Sequence, residues 1–84
     1  MDQDELRMTI REKLAGGVLP REKCHVTWFG PGAGHRCAAC ERTISRQEIE
    51  CECEQGPRGV LRFHQSCFAV WDTEREDAAG ALTL

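Results

Sequence analysis

Aromatic side chains are scarce in this sequence: it has no tyrosine, three phenylalanines and two tryptophans among 84 residues. Such a chain cannot build a large core. At this length folding removes only about 60% of the unfolded chain's surface from water. Domains of this size commonly need a staple, whether a disulfide, a metal or a partner. A long apolar run is also missing. The start, "MDQDELRMTI", is charged and does not fit a secretory signal, and no later segment is long enough to span a bilayer. The expectation is a cytoplasmic protein with no membrane partner. A basic excess is absent too, since the formal net charge is −3. Nucleic-acid modules usually present a basic face to the phosphates.

What the chain does have is six cysteines and three histidines. In a reducing compartment, clustered thiols point to metal more than to disulfides. The most specific pattern is Cys37-x2-Cys40, followed after 23 residues by His64-x2-Cys67. Zinc takes four N or S donors in a tetrahedron, and Cys3His is a common structural set. Two cysteines separated by two residues curl a tight knuckle around one ion. The second pair can do the same from a first helical turn, where the helix dipole favours a thiolate. The predicted cofactor is one Zn2+ held by Cys37, Cys40, His64 and Cys67.

The periodicities around this quartet predict a small α+β domain. Asp2 with Glu5 suits a capped helix start, and Leu6, Ile10 and Leu14 make an apolar stripe that Gly16-Gly17 terminates. The predicted helix therefore occupies 1–16. Its stripe either docks on the rest of the domain or forms a partner or self-dimer face. Residues 17–36 are rich in Gly and Pro and read as a loop. It is interrupted by an extended "HVTWF" at 25–29, whose Trp28 and Phe29 either pack on the cysteine-rich part or contact a partner.

The metal module is expected over 37–77. "EIECECE" alternates strictly, which predicts a half-buried strand with its glutamates in solvent and Ile49, Cys51 and Cys53 turned inward. "QGPRG" is a turn and "VLRF" the return strand. A second helix is expected from 65 to about 77, then a frayed tail over 78–84.

Cys51 and Cys53 are read as buried packing thiols, the alternative being that one replaces a ligand of the quartet or that they build a second site with Cys24 and a His. A bond between Cys51 and Cys53 is disfavoured by the i, i+2 spacing on a strand. Cys24 stays open, including as a reactive thiol, and His25 and His35 read as surface residues.

At the quartet, Cys37-Ala38-Ala39-Cys40 and His64-Gln65-Ser66-Cys67 resemble the first zinc half of a LIM domain. More broadly they resemble a treble clef: knuckle, hairpin, helix. The stretch "CAAC…LRFHQSCFAVWDTER" is also similar to small bacterial proteins that carry one such site. The resemblance spans roughly residues 36 to 76 and implies a zinc-stabilised fold with an extra N-terminal helix. Two features depart from it. Glu41 stands where such knuckles often have Gly, because the backbone there favours positive φ. No ligands follow Cys67 to build a second LIM half.

Three functions remain open on these residues. A saturated Cys3His site, an acidic surface and the apolar residues Leu6, Ile10, Leu14, Trp28 and Phe29 suit a non-catalytic protein-interaction or regulatory module. Arg36, Arg42, Arg46, Arg58 and Arg62 suit a DNA-binding regulator, against the net charge. A thiol redox sensor is the third, since oxidised ligands release metal. An enzyme is not expected: the deaminase pattern of His-x-Glu before a Cys pair is missing, as is a βαβ setting for a redox Cys pair.

Overall fold

The computed structural model describes residues 1–81. They form two helices and a three-stranded antiparallel sheet. Helix α1 (Gln3–Ala15) begins as its sequence dictates: the Asp2 side chain accepts the Glu5 backbone N–H at 2.9 Å. It ends where Gly16 donates to Glu12 and Gly17 takes a positive φ of 76° that a side chain would resist. Leu6, Ile10 and Leu14 are all buried in the core cluster, and α1 packs on α2 (Gln65–Ala81). The stripe is therefore consumed inside the chain. This corrects its reading as a free partner or dimer face: a narrow stripe on a short helix gains most by docking on its own domain. Arg7 and Arg11 of α1 reinforce the contact by converging on the buried Glu74 of α2.

Strands β1 (Val26–Pro31), β2 (Ile49–Glu54) and β3 (Val60–His64) lie in that order, so β2 is central. A single 3-10 turn, Gly56–Arg58, closes the β2–β3 hairpin. Gly32 follows β1 where the chain passes the Ser45 carbonyl so closely that a Cβ would collide with it. Helix α2 covers the inner face of the sheet. There Phe63 stacks on Trp71 at 5.0 Å, and Phe68 meets Phe63 edge-on at 6.0 Å. The buried Trp71 indole donates to the Pro20 carbonyl at 3.1 Å. The helix continues to Ala81, past the point where a tail was expected, and residues 82–84 lie outside the described part.

The strand alternation held for its cysteines and failed at two neighbours. Cys51 and Cys53 are fully buried, but Ile49 is 45% exposed and Glu50 is buried. Ile49 pairs with Pro31 at the sheet's end, and β3 stops at His64 opposite Glu50, so among the described residues no strand flanks Ile49 on that side. Glu50 is covered instead by His35, whose Nδ1 lies 3.1 Å away, and by Arg62.

Cys53 is not a free packing thiol. It is bonded to Cys24, with a Cα separation of 5.2 Å. This corrects the reading of Cys53 as a packing thiol and of disulfides as disfavoured, and it gives Cys24, which the sequence leaves open, a partner. The bond ties the segment leading into β1 to the central strand across 29 residues. Closing a loop of that length restricts the unfolded chain by roughly 3–4 kcal/mol in the chain-entropy model. Cys24→Ser is therefore expected to lower unfolding stability by up to about 3 kcal/mol in urea titrations under air. Dithiothreitol is expected to bring the native sequence down to the same midpoint; equal midpoints in all conditions would remove the disulfide as a staple.

Candidate metal centre

The knuckle forms because its backbone closes on itself. The Glu41 N–H donates to the Cys37 carbonyl at 2.9 Å, and the Cys37 N–H donates to Arg42 at 2.9 Å. Glu41 takes a φ of 65°, the one positive value at a non-glycine residue among those described. The geometry that favours Gly is therefore adopted without it. Lys13, from the last turn of α1, holds this turn in place. Its Nζ donates to the Ala38 carbonyl (3.1 Å), the Ala39 carbonyl (2.8 Å) and the Glu41 carboxylate (3.1 Å). That ammonium, by hydrogen bond and charge, holds the Glu41 carboxyl below the usual range.

Two further bonds bring the knuckle to the second pair. The Ala38 N–H donates to the Arg62 carbonyl at 2.7 Å, and the His64 N–H donates to the Cys37 Sγ at 3.4 Å. His64 is the last residue of β3, and Cys67 lies in the first turn of α2. The three Sγ atoms and one imidazole nitrogen of Cys37, Cys40, Cys67 and His64 all lie within 4.8 Å of one another. The His64 Nδ1 stands 3.4 Å from the Cys40 Sγ and 3.9 Å from the Cys67 Sγ. A tetrahedron built on Zn–S and Zn–N bonds has edges of roughly 3.5–3.8 Å, so the group is close to that size. It can hold one metal ion.

The other side of the imidazole supports the same conclusion. His64 Nε2 lies 3.3 Å from the Thr43 carbonyl and 3.3 Å from the Glu48 carboxylate. Both are acceptors and suit a proton on Nε2, the tautomer in which Nδ1 can serve a metal. Metal-ligating histidines are commonly oriented in this way by a carboxylate or carbonyl. Glu48 is itself fixed by the Ser45 N–H at 2.8 Å, the main reason its carboxyl is held below the usual range.

The thiols are not equivalent. A hydrogen bond from Cys67, aided by the backbone N–H groups of Cys40, His64 and Ala39, holds Cys37 down to about 4 against the effect of burial. Cys67 is pushed up, first by that same bond, then by burial and by the charge of Cys37 and Cys40. The quartet is thus predisposed to carry negative charge, and a cation entering it displaces the remaining protons. A cleft of about 280 Å³, lined by Cys40, His64, Cys67, Arg42, Ser66 and Leu6 among others, gives access from solvent. Cys51, by contrast, is pushed up to about 12 by burial, with Asp72 and Glu52 adding to it, and behaves as an inert buried thiol.

The other residues singled out in the sequence are dispersed. Trp28 lies on the outer face of the sheet and is 59% exposed, so it does not pack on the cysteine-rich part. Phe29 touches α2 only at its edge, meeting Phe68 at 5.9 Å, and stays 55% exposed. Both follow from β1 being an edge strand while α2 lies over β2 and β3. The five arginines form no single patch. Arg62 faces Glu50 and Glu52, and Arg58 donates to the Gly17 carbonyl at the turn end of the hairpin. Arg36 and Arg42 flank the knuckle at the opposite end, and Arg46 is exposed beyond it. Lys13, Thr43 and Glu48 were missed in the sequence, where nothing in their spacing marks them. Only the placement of α1 and of the loop before β2 shows what they do. No family model, no curated protein and no solved structure matches the chain.

Two measurements follow from this geometry. Native mass spectrometry is expected to find one ion per chain in the native protein and in Cys51→Ala, the latter at a stability cost of about 1–2 kcal/mol. Cys37→Ser is expected to lose the ion. Two bound ions, or loss of the ion in Cys51→Ala, would overturn the assignment. Lys13→Met is expected to keep one ion but bind it about tenfold more weakly in chelator competition, the effect typical of residues that orient ligands. Unchanged affinity would make the lysine incidental to the site.

Proposed function

We propose that the protein is a structural-zinc module of the treble-clef type that acts by binding another protein and has no catalytic role. The observation that carries this is the quartet itself: three sulfurs and the His64 Nδ1 converge within 4.8 Å, with Nε2 turned outward to Thr43 and Glu48. The donor set matches zinc in softness and number. Four protein donors fill a tetrahedron and leave no position for water or substrate, the arrangement of a structural ion. The order knuckle, β2–β3 hairpin, α2 is that of a treble clef, here with α1 gripping the knuckle through Lys13.

Among the described residues no helix is long and apolar enough to cross a membrane. We place the protein in the cytoplasm, where the metal thiols stay reduced; the Cys24–Cys53 bond argues the other way. A DNA-binding role has less support, because Arg62 is committed to glutamates and Arg58 is held at the far end of the hairpin. In this reading the ion organises the fold, so its removal has a structural readout. EDTA is expected to collapse the amide NMR dispersion of the knuckle, β3 and the first turn of α2, and added zinc to restore it. An unchanged spectrum in chelator would sink the structural role.

A further inference from the structure

The two tryptophans have opposite fates. Trp71 is fully buried, whereas Trp28 exposes 59% of its surface on the sheet face opposite α2. That outer face carries Val26 and Trp28 from β1, Glu50, Glu52 and Glu54 from β2, and Val60, Arg62 and His64 from β3, as the pairing register dictates. Its charges are unbalanced. Arg62 lies 3.9 Å from Glu50 and 3.4 Å from Glu52, and His35 also meets Glu50. Glu54 has no cationic partner among the described residues. It accepts instead from the Trp28 indole N–H at 2.8 Å. The hydrogen bond fixes the ring, so an exposed aromatic surface and an unneutralised carboxylate stand side by side. Beside them β1 has β2 on one edge and, among the described residues, no strand on the other.

An aromatic face next to a carboxylate attracts a cation twice, through the ring quadrupole and through charge. An open strand edge accepts an extended peptide by main-chain pairing. A strand added to β1 would lie beside Trp28 and about 9–10 Å from β2, within the reach of a long basic side chain extended toward a glutamate. A second copy of this chain fits less well, because β1 itself, VTWFGP, carries no Lys or Arg to set over Trp28.

We propose that β1 and the outer sheet face form the docking site for an extended, cationic segment of a partner protein. The segment adds as a fourth strand on β1 and lays a Lys or Arg side chain over Trp28 toward Glu54. The proposal rests on the protein-interaction function above and gives it a site and a partner chemistry.

The test uses the purified full chain, its zinc content measured first, titrated with a short peptide of alternating Lys and Val. A Glu–Val peptide and duplex DNA serve as comparisons. The Lys–Val peptide is expected to shift amide signals of β1 and adjoining β2 and to change Trp28 fluorescence, with affinity falling as salt rises. Trp28→Ala and Glu54→Gln, both surface changes, are each expected to weaken it about tenfold. Equal affinity in both variants, equal binding of the Glu–Val peptide, preference for DNA, or self-association through β1 seen by sedimentation would each overturn the docking site. A zinc-loaded protein whose peptide binding ignores Trp28 loses this site but keeps its structural ion. Absence of zinc removes the structural ion, and the titration still decides the docking site.

Discussion

The imidazole of His64 faces two ways, and most of the structure depends on both. Nδ1 points to the sulfurs of Cys40 and Cys67, while Nε2 points to Thr43 and Glu48. Through its backbone N–H the same residue reaches the Cys37 Sγ. His64 also ends β3 immediately before α2 starts. Knuckle, sheet and helix therefore meet at one residue, and the angle between strand and helix is set where the donors converge. A site of this kind does not exist in the unfolded chain, so ligand convergence and folding are a single event.

A disulfide and a group able to hold a metal lie toward opposite ends of the β2–β3 hairpin. The metal centre lies at the His64 end of the β2–β3 hairpin, and the Cys24–Cys53 bond lies toward its turn end. Between them Cys51, Phe63 and Trp71 are fully buried, and α1 closes one side with Leu6, Ile10 and Leu14. So small a core leaves little surplus over conformational entropy. The disulfide closes one end, and an ion held by the quartet would close the other, limiting how far the strand pair can open. Lys13 links the two regions, since it belongs to the core-packed helix yet binds the carbonyls of the knuckle.

Local chemistry was legible in the sequence and long-range chemistry was not. The i, i+3 spacing of each ligand pair is a property of a turn, so the quartet could be read without a fold. The caps of α1, the hairpin turn and the inward cysteines of β2 are local in the same sense. The Cys24–Cys53 bond joins a loop to a strand and depends on where that loop enters the sheet, which no spacing encodes. The same holds for Glu50, buried only because His35 and Arg62 arrive from elsewhere. Trp28 shows the converse error. Its hydrophobicity suggested burial, but an edge strand can present a large residue to solvent on the face its helix does not reach.

The metal centre and the outer face are mechanically one object. Glu50, on that face, pairs with His64 across the β2–β3 ladder, and Glu52 pairs with Arg62 two residues on. Fixing His64 fixes the end of β3. That fixes the register and twist of β2, and hence the spacing of Glu52 and Glu54 beneath Trp28. If the quartet holds an ion, its loss would loosen the sheet from the His64 end and the knuckle that Lys13 of α1 grips, and so blur the glutamate row. A structural ion in such a small domain can therefore determine whether a surface distant from it is ordered enough to be recognised.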